Sequence, residues 1–166
     1  MSIGPAAEKA RRQVMSRVPV TAWMWKTLPL AAFAGLRVVR LDERACAVRL
    51  PGGWRTQNPF RSTYFAAQAM AAEMSTGAPA LVLLRDASAS IAMLVVSLRV
   101  AYTRKLVGTG VFTFEDVAGL RAAIDRAAAS DEPQAFTARS TGRDPQGEVV
   151  AEFEIDWSFR RRPPRP

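Results

Sequence analysis

The chain has no histidine and only one cysteine among its 166 residues. The missing histidine excludes Ser-His-Asp and Cys-His catalysis within the chain and argues against a zinc site. The lone Cys46 excludes an intrachain disulfide and suits a reducing, cytoplasmic setting. Any acid–base chemistry therefore falls to carboxylates. Long apolar runs are scarce too. The longest charge-free stretch, 87–98, has 12 residues, against roughly 18 for a spanning helix, so no membrane span is expected. Lys9, Arg11, Arg12 and Arg17 precede an apolar patch, but Pro19, Lys26 and Pro29 break it, so it reads as mature structure and not as a signal peptide.

Negative charge is the other shortage. Lys and Arg number 23 against 15 Asp and Glu, giving a net charge of +8 and a pI near 10.9. Part of the excess sits in residues 160–166, Arg-Arg-Arg-Pro-Pro-Arg-Pro, where three prolines argue against a regular element. With no aromatics interleaved, this stretch reads as a solvated tail, and nucleic acid is not the expected partner. A basic surface equally suits a small ligand carrying phosphates.

What is present is a globular balance, 49% hydrophobic and 23% charged. No repeat or linker divides the chain, so residues 1–166 read as one domain with an N-terminal helical extension (1–30) and the basic tail (160–166). A helix is predicted over 6–18, followed by a segment whose Trp23 and Trp25 are expected to pack against the domain. Residues 36–41 and 45–50 read as a hairpin turning at Asp42-Glu43-Arg44. Strands are also predicted over 91–103, 107–114, 134–142 and 147–159. The first of these is apolar on both faces at its start, which suggests a central place in a sheet. A helix is predicted over 116–129 from the spacing of Val117, Leu120 and Ile124. In the last strand Glu152, Glu154, Asp156 and Ser158 alternate with Phe153, Ile155, Trp157 and Phe159, so one face is wet and its acids are solvated.

The stretch 56–77, TQNPFRSTYFAAQAMAAEMSTG, is the unusual one. It predicts a helix from about Ser62, capped by Ser62 or Thr63 and stopping at Gly77-Ala78-Pro79. The helix is apolar on nearly every side and so reads as buried. Yet it carries Glu73, and a lone buried carboxylate is costly unless something uses or satisfies it. The elements together predict an α+β fold, a mainly antiparallel sheet of five or six strands curved around this helix.

An apolar helix preceded by a loop asparagine and followed by an antiparallel sheet resembles the hotdog fold of acyl-CoA thioesterases. The likeness is to the phenylacetyl-CoA-pathway type and its uncharacterised branch, and it covers roughly residues 23–160. In that type the loop asparagine precedes a His-Gly-Gly, and a helix Asp or Glu follows about four turns after the asparagine. Asn58 and Glu73, fifteen apart, match that spacing. Where His-Gly-Gly would stand the chain has Tyr64-Phe65-Ala66. The resemblance therefore carries the fold further than the activity.

It implies a thioesterase with Glu73 as general base or nucleophile and the helix-start amides of Tyr64 and Phe65 polarising the carbonyl. Asn58 would orient the water or the carbonyl; its plainer role is to hold a turn. Glu73 lies about 13 Å along the helix from Tyr64. The resemblance answers with a homodimer, two helices packed antiparallel so that Glu73 of one copy faces the helix start of the other. A dimer of dimers is the larger alternative. Arg61, Arg104 and Lys105 are candidates for the coenzyme A phosphates, and Thr63, Gln68 and Met70 for the rest of the substrate, with Tyr64, Met70 and Met74 along an acyl tunnel. No metal is expected, and no cofactor beyond the coenzyme A of the substrate. A non-catalytic acyl-binding protein on the same fold is the competing reading.

Overall fold

The computed structural model describes residues 3–163; the last three residues of the basic tail lie outside the described residues. Three helices come first: α1 (Pro5–Met15), α2 (Arg17–Thr27) and α3 (Pro29–Ala34). The predicted single helix is thus two, separated at the extended residue Ser16. Pro5 and Pro29 each sit in a first turn, where the missing N–H costs nothing. Trp23 and Trp25 are exposed, contrary to expectation. On α2 it is Met24, between them, that turns into the core.

Strands β1 (Arg37–Leu41) and β2 (Cys46–Leu50) form the predicted hairpin. Asp42 closes it by accepting from the amides of Arg44 (2.8 Å) and Ala45 (2.9 Å). Then follow the long helix α4 (Phe65–Leu83), β3 (Ile91–Tyr102), β4 (Gly110–Phe114), α5 (Val117–Ala128), β5 (Gln134–Arg143) and β6 (Val149–Arg161). Asp116 caps α5, accepting from the Gly119 amide at 2.9 Å. The six strands form one antiparallel sheet in the order β1-β2-β4-β5-β6-β3.

The sheet curves around α4, and Val48, Leu50, Phe112, Phe114, Phe153, Ile155 and Phe159 fill the space between. The strict alternation read in β6 holds: Phe153, Ile155, Trp157 and Phe159 are buried. Its wet-face acids are bonded across strands, Glu154 to Arg99 and Arg139, and Asp156 to Ser97 and Thr137.

Three further expectations give way. Helix α4 does not stop at Gly77 but runs on through Pro79. Residues 75–80 are all buried, and tertiary burial outweighs the helix-breaking tendency of Gly and Pro. Gly77 also packs closely against Glu73 and Trp157. A Cβ at this position would lie 3.1 Å from Glu73 Oε1 and 3.5 Å from the Trp157 ring. Strand β3 is an edge, not a centre, because it pairs only with β6. Finally, Arg160 and Arg161 extend β6 instead of opening the tail: Arg161 pairs with Ile91 and its guanidinium meets Asp131 at 2.5 Å.

Candidate active site

The loop before α4 is built around Asn58. Its Oδ1 accepts from the amides of Phe60 (3.0 Å) and Ser62 (3.2 Å) and from the Ser62 hydroxyl (3.2 Å). This turn holds Arg61 at a φ of 58°, a left-handed conformation unusual outside glycine. The side-chain oxygen of Asn58 is thus engaged in its own loop, and only its amide nitrogen is left without an acceptor among the described residues. Ser62 and Thr63 do not cap the helix. Thr63 instead ties the loop to the segment after β3, its amide donating to the Leu106 carbonyl (2.8 Å) and its hydroxyl to the Gly108 carbonyl (3.3 Å).

Tyr64 stands at the N-cap with an extended backbone, and its side chain makes no cap bond. Its amide donates to the Thr56 carbonyl at 2.7 Å. The first helical amides, those of Phe65 and Ala66, have no partner among the described residues. A helix start leaves such donors free by construction, with the positive end of the dipole behind them. The two unpartnered amides at the helix start are therefore those of Phe65 and Ala66, one residue on from the Tyr64 and Phe65 amides named from the sequence.

Around this point the rings of Tyr64 and Phe65 (4.7 Å apart), Tyr102 and Phe153 form an edge-to-face series running into the core. The Tyr102 hydroxyl donates to the Phe65 carbonyl at 3.1 Å, joining the end of β3 to the first turn of α4. Burial raises the Tyr102 phenol. Sequence reading passed over this residue; its position at the close of the long strand was the available signal.

Gln68, one turn on, is buried. Its Nε2 donates to the Thr63 carbonyl (3.1 Å), while its Oε1 has no donor among the described residues. Arg104 and Lys105 follow β3 near the same end and are exposed, Arg104 within 3.3 Å of Glu148. Met70 and Met74 are half-buried against the core. The structure thus gathers Asn58, Arg61, Thr63, Tyr64, Phe65 and Gln68 at one end of α4.

Glu73 is not among them. It lies eight residues along from Phe65, about 12 Å at the helical rise. Its carboxylate makes no hydrogen bond or ion pair with the described residues, and burial holds its pKa above the ordinary carboxylate value. Ala66, Ala69, Met70, Glu73 and Met74 recur at helical spacing and stay partly open, so one stripe of α4 is uncovered in the single chain. β3 is similarly bare, with Leu94, Val96, Leu98 and Val100 exposed. Cavities of the single chain are found elsewhere. One of about 550 Å³ lies between α1, the β1–β2 turn and α5. Among the described residues no group of histidine, cysteine or carboxylate side chains is placed to hold a metal, and no helix is long and apolar enough to cross a membrane.

A curved antiparallel sheet around one long apolar helix is the hotdog fold, and solved structures share it along most of the chain. A probable thioesterase of unknown function from Pseudomonas aeruginosa is 22% identical, with 98% of this chain and 99% of its own aligned and a TM-score of 0.67. A protein of unknown function from Chlorobaculum tepidum is 11% identical over 95% and 97%, with a TM-score of 0.75. A thioesterase enzyme from Staphylococcus aureus is 9% identical over 80% and 98%, with a TM-score of 0.60. It was solved with a glutamine replaced by alanine and, in a second structure, with a glutamate replaced by alanine. No protein of curated function matches the chain. Residues 17–159 match the family described as a domain of unknown function, DUF4442, and the chain belongs to that family.

Proposed function

We propose that the protein is a thioester hydrolase whose active sites form between two copies of the chain. The observation that carries this reading is Glu73. It is a desolvated carboxylate with no partner among the described residues, on an open helix stripe, too far from the free amides of its own helix start to share a site with them. An antiparallel pairing of two α4 helices brings Glu73 of one copy to Phe65 and Ala66 of the other. The bare, unpaired edge of β3 supports the same dimer, because an exposed apolar edge strand is a template for pairing.

In this site the acyl carbonyl oxygen accepts from the Phe65 and Ala66 amides. Glu73 takes a proton from water as the water oxygen attacks the carbonyl carbon. The C–S bond then breaks, and the protonated Glu73 returns its proton to the thiolate. A raised carboxylate pKa suits both transfers, because it lies nearer the working pH. The glutamine and glutamate replaced in the S. aureus structures stand fifteen positions apart, the separation of Asn58 and Glu73. Acyl-CoA is the substrate class, with Arg61 and Lys105 as candidates for its phosphates. Arg104 would first have to leave Glu148.

The exposed rings of Tyr64 and Phe65 at the helix start favour a second reading, an acyl-CoA-binding protein whose approach is blocked to chemistry. Thiol release from short, long and aromatic acyl-CoAs, followed for the wild type and Glu73→Gln, separates the two. Turnover that collapses in the variant supports the hydrolase. Binding without turnover on the whole panel supports the second reading.

A further inference from the structure

Between Glu8 and Asp42 the sequence has five arginines, two lysines and no carboxylate. This acid-free stretch forms most of a cavity of about 720 Å³ between α1, α2, the end of α3 and β1. Its wall carries Arg37, Arg49 and Arg55 and no carboxylate. None of the three forms an ion pair with a described residue, and the only bond to a guanidinium among them is from Arg49 to the Thr109 hydroxyl at 3.3 Å. Arg37 and Arg49 are directly opposed in the β1–β2 ladder. Like charges facing each other across a sheet are destabilising unless something negative lies between them.

The rim of this cavity is apolar and bare. Trp25, Met15 and Val39 line it, and all three are exposed. Beside it Phe33 and Trp54 meet edge to face at 5.7 Å, with Trp54 73% and the neighbouring Leu30 66% exposed. The Arg55 guanidinium lies close over Gly35, at the end of α3, and so joins this aromatic pair to the arginine groove.

We propose that this face docks on an anionic phospholipid surface, with the phosphates of the headgroups between Arg37, Arg49 and Arg55, and Trp25, Leu30 and Trp54 entering the interfacial layer. A site for a small soluble anion would enclose its arginines. Here they are exposed, with Trp25, Met15 and Val39 on the groove wall and Trp54 next to Arg55 in the chain, apolar side chains that water solvates poorly and a bilayer interface takes up. Charge supplies the attraction and the aromatic rim the anchoring. The proposal is independent of the thioesterase reading.

The test is co-sedimentation of the full chain with phosphatidylcholine vesicles, with and without phosphatidylglycerol, alongside its tryptophan emission. Binding is expected only with phosphatidylglycerol, with a blue shift, and weakening as salt is raised. Arg37→Gln/Arg49→Gln/Arg55→Gln should reduce partition on the order of 100-fold, and Trp25→Ser/Trp54→Ser should remove the blue shift, both with unchanged melting temperature. Equal binding to neutral vesicles, or full binding by the arginine variant, overturns the proposal. It is also overturned if pyrophosphate or a short DNA duplex binds as tightly as the vesicles do. A further overturning result is sedimentation showing that Trp25→Ser/Trp54→Ser splits an oligomer while vesicles bind neither protein.

Discussion

The amide of Tyr64 donates to the carbonyl of Thr56 at 2.7 Å. That one bond decides which donors the start of α4 offers. It anchors the loop and withdraws the N-cap amide from chemistry, so the next two amides, those of Phe65 and Ala66, are the free ones. Both are backbone donors, so they do not depend on the side chains of Tyr64, Phe65 and Ala66.

Phe65→Pro tests this directly. The Tyr64 backbone, at φ −62° and ψ 136°, already has the extended shape required before proline, and the first helical position tolerates it. The variant should keep the fold by circular dichroism and lose about 10²- to 10³-fold in kcat. Phe65→Ala, which keeps the amide, should retain most of kcat.

Glu73→Gln should abolish thioester hydrolysis while stabilising the protein. Burial raises the Glu73 pKa above its unfolded value, so folding favours the protonated carboxyl. The stability tied to that proton is present below the unfolded pKa, near 4.5, and is lost as pH rises through the raised folded value. The variant's advantage in melting temperature should therefore be largest at neutral and alkaline pH and vanish in acid. Wild-type kcat/KM should rise with pH on a limb above the ordinary carboxylate range.

Leu94→Lys puts a charge on the bare edge of β3, where Leu94 is 67% exposed. Sedimentation should show a dimer in the wild type and a monomer in the variant, and thiol release should fall with the dimer although Glu73 is untouched. Mixed dimers of Glu73→Gln and Phe65→Pro give the sharper result. One composite site carries both lesions and the other neither, so about half the wild-type activity should return from two inactive proteins.

Asp86, just past the end of α4, reaches across to α1 and accepts from the Ala7 amide at 3.0 Å. It caps the first turn of α1 through a bond that spans 79 residues of sequence. Gly4 leaves room for it, since a Cβ there would lie 2.7 Å from the carboxylate. Asp86→Ala should cost about 1 kcal/mol in urea unfolding, and amide exchange should quicken in α1 before it does in the sheet.

Much of this architecture was legible because its causes are local. The period of two in residues 152–159, the hairpin turn at Asp42-Glu43-Arg44 and the apolar helix around Glu73 are patterns within a few residues of each other. The Asn58–Glu73 spacing and the likeness it carries are equally one-dimensional. Hence the sheet around a central helix and the odd carboxylate could both be read directly.

What the sequence could not settle depends on which surfaces other parts of the chain cover. Apolar residues on both faces of 91–98 look the same in a buried central strand and in an exposed edge strand. Gly77 and Pro79 break helices in water, yet they continue one here because the sheet closes over residues 75–80. Whether the Tyr64 amide is free depends on where Thr56 lies after the loop has turned at Asn58. Sequence alone determined the periodicities and the residue that needs a partner. The tertiary structure decided which edges, amides and arginines are left without one, because coverage is a property of surfaces that meet only when the chain has folded.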